Sequence, residues 1–272
     1  MSAPTTQQTY GQTFSSDSAQ NYERFFVPVI PGPFAADLIA EAGLRPGERV
    51  LDVACGTGIV ARLAADIVGN GNVAGLDLTP EMLAVARSIA QSSGKSIRWY
   101  ESTAEAMPLP DASFDVVLSQ LGLMFVPDQS AAAREMRRVL APGGRAYVST
   151  ARPSAFFEVF HDALARHIDA TAAGFMRQVF ALNDPVAMER LFLDAGFPEA
   201  KARVGRKTVH PPKAKEWLWQ YIHITPIAPI VMQAGKKQLA ALEREVVDGW
   251  KPWATGDGLA YEQELLVLAA RK

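Results

Sequence analysis

Two aspartates bracket a glycine turn in this chain. Asp52 stands in the stretch VLDVACGTGIVARLA, four residues before Gly56 and six before Gly58. Asp77 closes the next apolar run, NVAGLD, 19 residues beyond Gly58. Glycines let a ligand approach the backbone with no Cβ in the way, and a helix beginning just after them presents unpaired N–H groups. A carboxylate at the tip of a second strand is positioned to accept hydrogen bonds from ribose hydroxyls, so an adenosine-containing ligand is implied.

Two cofactor classes satisfy that pattern. A dinucleotide needs G-x-G-x-x-G/A, which Gly56, Gly58 and Ala61 match formally. S-adenosylmethionine carries an amino-acid tail and a sulfonium in place of a pyrophosphate. A second carboxylate, Asp52, repels a pyrophosphate and favours an ammonium group. Electrostatics therefore favours S-adenosylmethionine, with a nicotinamide-dependent oxidoreductase as the alternative. Asp52 also has a purely structural reading, as a carboxylate capping the turn.

These residues need a strand–turn–helix frame, and the surrounding pattern supplies one. Strands are expected over 50–53, 73–76, 97–101, 114–119, 145–151, 200–209 and 259–269. Helices are expected over 34–42, 58–68, 80–91, 128–140, 155–170, 185–195 and 233–248, with a further aromatic-rich helix opened by Pro211-Pro212. Thr79, Asp128 and Asp184 read as N-caps, and Pro31-Gly32-Pro33 as a stop before the first long helix. The Pro-Gly-Gly at 142–144 reads as a turn, and ITPIAPIV, 224–231, as an apolar loop, either a lid or a buried connector. Strands spaced by helices argue for a mostly parallel sheet covered on both faces, with the last two strands as an antiparallel edge. The chain thus reads as a flexible arm over 1–20 and one domain over 21–272, with a helical insertion.

VLDVACGTG resembles the first motif of the class I S-adenosylmethionine-dependent methyltransferases. The likeness continues through VAGLDLTPEMLAVAR, AEAMPLPDASFDVVLSQLGLMFVPD and REMRRVLAPGGRAYVS. It covers residues 46–151 in unbroken order and is closest to the branch that includes ubiquinone/menaquinone-biosynthesis methyltransferases. The resemblance implies a Rossmann-like fold with a seven-stranded sheet, S-adenosyl-L-methionine as cofactor, and methyl transfer as activity. It also implies roles. Gly56, Gly58 and the backbone at Ala54 would cradle the methionine tail, and Asp52 would favour its ammonium. Asp77 would hold the ribose, Leu78 and Met82 the adenine faces, and Thr103 and Ala104 its edge. Gln120 would contact the methionine portion, and Tyr22 would close over the cofactor. Many relatives have Gly-Asp-Ala where this chain has Ser102-Thr103-Ala104, which replaces a carboxylate with a hydroxyl at the adenine contact. A catalytically inactive S-adenosylmethionine-binding regulator shares the same motifs.

The remainder bounds the chemistry. Of 272 residues, 49% are hydrophobic and 21% charged, with a formal net charge of −2, which offers no basic field for nucleic acid. The single cysteine, Cys55, reads as a packing residue and implies a reducing, cytoplasmic setting. No apolar run is long enough for a membrane span, and no histidine–carboxylate spacing implies a metal. Residues 152–258 read as the acceptor or cap region for a small-molecule methyl acceptor, with Phe156, Phe157, Phe160 and Trp217 as its expected lining. His161 and His223 are the candidate bases, because both lie in that region. Apolar helices after residue 212 leave a homodimer open.

Overall fold

A computed structural model describes residues 15–272. Seven strands form one sheet in the order β3-β2-β1-β4-β5-β7-β6. They are β1 (Val50–Val53), β2 (Val73–Asp77), β3 (Ile97–Glu101), β4 (Phe114–Gln120), β5 (Leu140–Ala151), β6 (Glu199–Val209) and β7 (Tyr261–Arg271). The first five run parallel; β7 lies antiparallel between β5 and β6. Every residue of β1 and β2 is buried, so both faces of the sheet centre are covered. The order reverses between β1 and β4, the topological switch point where such sheets open a crevice.

The helices are α1 (Ser16–Asn21), α2 (Pro31–Ala42), α3 (Ile59–Val68), α4 (Pro80–Ser92), α5 (Gln129–Val139), α6 (Ala155–His167), α7 (Ala170–Val179), α8 (Pro185–Asp194), α9 (Ala214–His223), α10 (Ala228–Met232) and α11 (Lys236–Gly249). A π-helical turn, Tyr22–Phe26, follows α1 directly. In α3 the buried residues Val60, Ala61, Ala64, Ala65 and Val68 make one apolar stripe. The carboxylates of Asp128 and Asp184 accept from the third residue on, Ala131 N and Ala187 N, both at 2.8 Å, as N-caps do.

Several expectations need correcting. Most of the expected arm over 1–20 lies outside the described residues, but Ser16–Asn21 is helical and Ala19 is fully buried. Pro31-Gly32-Pro33 is the first turn of α2 rather than a stop, since prolines suit positions without an intrahelical N–H partner. The helix expected over 155–170 ends at His167. Ile168 leaves helical geometry, and the Asp169 side chain caps a separate helix, α7, at Ala172 N (2.7 Å). Residues 142–144 sit inside β5, whose pairing with β4 shifts register there. The 224–231 stretch contains α10, with Ile224, Ile227 and Val231 buried, so it is a packed connector.

Candidate functional site

The carboxyl ends of β1, β2 and β4 open on a cleft with about 1230 Å³ of empty space, counting its solvent-filled mouth. Of the expected cofactor residues, Tyr22, Asp52, Ala54, Gly56, Asp77, Leu78, Met82, Thr103, Ala104 and Gln120 all line it. Gly58 does not. Its φ of +82° starts α3 in the left-handed region, and a Cβ there would lie 2.6 Å from Trp99 Cη2. This glycine shapes the turn and packs on β3 instead of facing the ligand space. Ala54 and Leu121, both on the cleft wall, hold positive φ (both 54°) on opposite sides of the switch point.

The two carboxylates are tied to backbone donors. Asp77, 9% exposed, accepts from Gly56 N (2.7 Å) and Thr79 N (2.9 Å). An ionised carboxylate oxygen can accept more than one hydrogen bond, so these donors do not bar a ribose hydroxyl. Burial pushes the Asp77 carboxyl above its usual range against those donors. Asp52, 1% exposed, accepts from Ala61 N (3.0 Å) in the first turn of α3, so the capping role and the cleft-facing position coexist. Burial, backed by the nearby Asp77 charge, pushes Asp52 up to about 8, against the Ala61 hydrogen bond and Arg62. A cationic group beside it relieves that shift.

Beneath the turn, Arg62 donates to Thr57 O and pairs with Glu23 Oε1 (2.6 Å) from the N-terminal π-turn. Sequence reasoning missed this link. The Thr57 hydroxyl is buried with no partner among the described residues and lines the cleft. Gln120 donates from Nε2 to Pro31 O (2.9 Å), while its Oε1 is buried with no partner among the described residues. Leu78, half exposed, and Met82, buried, both line the cleft. Ser102 and Glu105 line the cleft with Thr103 and Ala104, so this stretch has one carboxylate nearby. Cys55 is buried, its thiol pushed up by burial, as a packing residue behaves. Acidic flanks, a glycine turn and an orphaned hydroxyl fit a cationic nucleoside with an amino-acid tail.

A second cavity adjoins the first and shares Tyr22, Leu121 and Phe125 with it. Of the expected acceptor lining, only Phe157 faces it. Phe156 is stacked between Tyr261 (3.9 Å) and Trp250 (4.3 Å). Phe160 is core against Tyr221 and Trp250, and Trp217 is fully buried against Phe26 and Tyr221. The lining residues missed include Phe26, Phe175, Phe180, Tyr221, Thr225 and Gln263. Neither candidate base lines either cavity. His161 lies on the α6 surface between Asp162 (2.9 Å) and Arg177 (3.2 Å), and His223 bonds Trp219 O (2.6 Å) in a separate surface groove. Among the described residues no cluster suits a metal, and no single helix is long and apolar enough to cross a membrane.

A crevice at the switch point of a doubly wound sheet, rimmed by two acids and a glycine turn, defines a nucleoside-binding α/β protein. Comparison with known proteins narrows the class. The methyltransferase-domain family matches residues 51–148. A ubiquinone/menaquinone biosynthesis C-methyltransferase of Shewanella woodyi is 37% identical over 184 residues, 60% of this chain and 71% of the relative. An uncharacterized protein of Mycobacterium tuberculosis is 43% identical over 115 residues, 42% of this chain; the match spans only 41% of that relative's length. In fold, the chain is similar to a Haemonchus contortus phosphoethanolamine N-methyltransferase crystallised with phosphomonomethylethanolamine and S-adenosylhomocysteine. The TM-score is 0.62 at 20% identity, covering 96% of this chain and 58% of the other. The chain belongs to the class I S-adenosylmethionine-dependent methyltransferases, in the branch that includes the ubiquinone/menaquinone-biosynthesis enzymes.

Proposed function

We propose that the protein transfers a methyl group from S-adenosylmethionine to O, N or C of a small, moderately apolar metabolite. The observation that carries this reading is the shared wall: a nucleoside-type cleft opens beside an aromatic chamber through Tyr22, Leu121 and Phe125. S-adenosylmethionine supplies a methyl group already activated by its positive sulfur. The chain's own residues then have three tasks. Asp77 holds the ribose hydroxyls, and Asp52, with the Gly56 turn and Thr57, receives the amino-acid tail. Leu78 and Met82 cover the adenine, with Thr103 and Ala104 at its edge. Tyr22 and the chamber aromatics exclude water and hold the acceptor in line; such positioning supplies most of the acceleration in a one-step displacement.

Bound there, the cofactor would supply an electrophilic methyl carbon whose bond to sulfur would break as the acceptor's electron pair takes it, while Tyr22 and the chamber aromatics would hold that acceptor in line. The proton that the acceptor gives up would pass to solvent at the mouth of the cleft once transfer is complete. No lining residue of the chamber is a histidine, carboxylate or lysine. Burial pushes the Tyr22 and Tyr221 hydroxyls well up, so at neutral pH they donate hydrogen bonds and accept no proton.

The test is formation of S-adenosylhomocysteine with a panel of uncharged phenols, aromatic amines and electron-rich aromatic carbon acceptors, followed by mass spectrometry. The reading predicts acceptor-dependent product, reduced about tenfold or more in kcat/KM by Phe157→Ala. Tight cofactor binding with no product from any acceptor contradicts it and favours a regulator.

A further inference from the structure

The chamber has one polar side chain that packing alone does not explain. Gln263 lies on β7, a strand covered on both edges by β5 and β6, and only 2% of it is exposed. Its neighbours two positions away on the same face are Tyr261 and Leu265. A leucine or methionine would fill such a site at no polar cost, whereas a buried amide needs partners. The nitrogen has them. Nε2 donates to Arg152 O (3.1 Å) and to Glu264 O (2.7 Å). Two carbonyls on that side fix the amide's orientation, because the reverse flip would set oxygen against oxygen. The oxygen Oε1 has no donor among the described residues, and the side chain lines the chamber.

The rest of the lining is uncharged. It comprises aromatic and aliphatic side chains, the hydroxyls of Tyr22 and Tyr221, and Thr225, whose hydroxyl is spent on Ile222 O (2.8 Å). A charged acceptor would lose its hydration there with no counter-charge. Hydroxyl groups donate or accept by rotation, whereas a fixed amide oxygen only accepts. Within this lining it is a fixed acceptor, and it demands a donor.

We propose that Gln263 determines acceptor specificity: its amide oxygen accepts a hydrogen bond from a hydroxyl or N–H of an uncharged aromatic-sized acceptor, which the chamber selects over donor-free and anionic analogues. This rests on the reading of the chamber as the acceptor site but does not need methyl transfer to be observed.

The test is equilibrium dialysis of the full chain, saturated with S-adenosylhomocysteine, against 2-naphthol, naphthalene and 2-naphthoate. S-adenosylhomocysteine binding is scored separately by calorimetry. The proposal predicts that the wild-type protein holds 2-naphthol about tenfold tighter than naphthalene, the worth of one well-made hydrogen bond that would otherwise be left unpaired. It also predicts no measurable binding of 2-naphthoate. In Gln263→Met the naphthol-to-naphthalene ratio falls to about one while naphthalene binding holds, which a merely structural role would not produce. An unchanged ratio in the variant overturns the proposal. So does a wild-type protein that binds naphthoate as well as naphthol, or that fails to bind naphthol; those two results stand even if the variant does not fold. Loss of S-adenosylhomocysteine binding with naphthol discrimination intact sinks the cofactor reading and leaves Gln263 standing.

Discussion

Asp52 and Asp77 divide the labour of one cleft, and their differences are testable. In Asp77→Ala, two ribose hydrogen bonds to a charged group are lost, so S-adenosylmethionine binding weakens by about 2 kcal/mol or more, roughly thirtyfold in Kd. Calorimetry reads this directly, and unchanged affinity would remove Asp77 from the site. Asp52 predicts a pH signature. An unfolded aspartate titrates near ~3.9, whereas burial lifts the folded group to about 8. Between those values the native state keeps a proton that the unfolded state gives up. Stability of the ligand-free protein therefore falls as pH rises through that window. Asp52→Asn removes the burden, so the ligand-free variant melts at a higher temperature than wild type, most clearly near pH 8. The same variant binds S-adenosylmethionine more weakly, because its ammonium loses an anionic partner. A variant that is more stable and binds equally well would make Asp52 a cap and nothing more.

At the scale of elements, the frame of the cleft was largely legible in the sequence. β1 and β3 have the expected bounds, and β2 and β4 each extend one residue further. Period-two and apolar runs between glycine and proline punctuation carry that information locally. The misses arise where a local cap is hidden in a helical run or a tertiary contact decides. The break at Ile168 depends on the Asp169 cap, which a run of helix-forming residues conceals. The helical entry segment 16–26 depends on packing of Ala19 and Tyr22 against Met82, and on the Glu23–Arg62 pair. No spacing rule joins residues 39 positions apart. Because Arg62 is nearly fully buried, Glu23→Ala leaves its charge with only the Thr57 carbonyl. Breaking such a pair costs about 3–5 kcal/mol. The expected outcome is a lower Tm together with weaker S-adenosylhomocysteine binding, since the same guanidinium supports the turn. Gly58→Ala is expected to cost about 1–3 kcal/mol, from a left-handed φ and the Trp99 ring behind it.

Over the whole molecule, the residues that line the cleft were readable and most of those that line the chamber were not. The cofactor cleft is built from consecutive strand ends, so sequence order maps onto geometry. The chamber gathers side chains from the entry turn, the loop after β4, α6, α7, α9 and β7, which no periodicity connects. Within α6, Phe156 and Phe160 share one face four residues apart and fill the core, while Phe157 turns to the chamber. The aromatic character of that helix was visible; which ring faced the chamber was not. The distinction is measurable. Trp217→Ala is expected to destabilise by about 3–5 kcal/mol, as a cavity in a closed core does. Phe157→Ala is expected to lower acceptor turnover more than stability, read by comparing kcat/KM with Tm.

The central claim is that this cleft takes a cationic nucleoside with an amino-acid tail and rejects a pyrophosphate. Calorimetric titration of the purified chain with S-adenosylmethionine and, separately, with NAD tests it most directly. Saturable micromolar binding of the first and none of the second is the result predicted. Binding of NAD with indifference to S-adenosylmethionine would contradict the account.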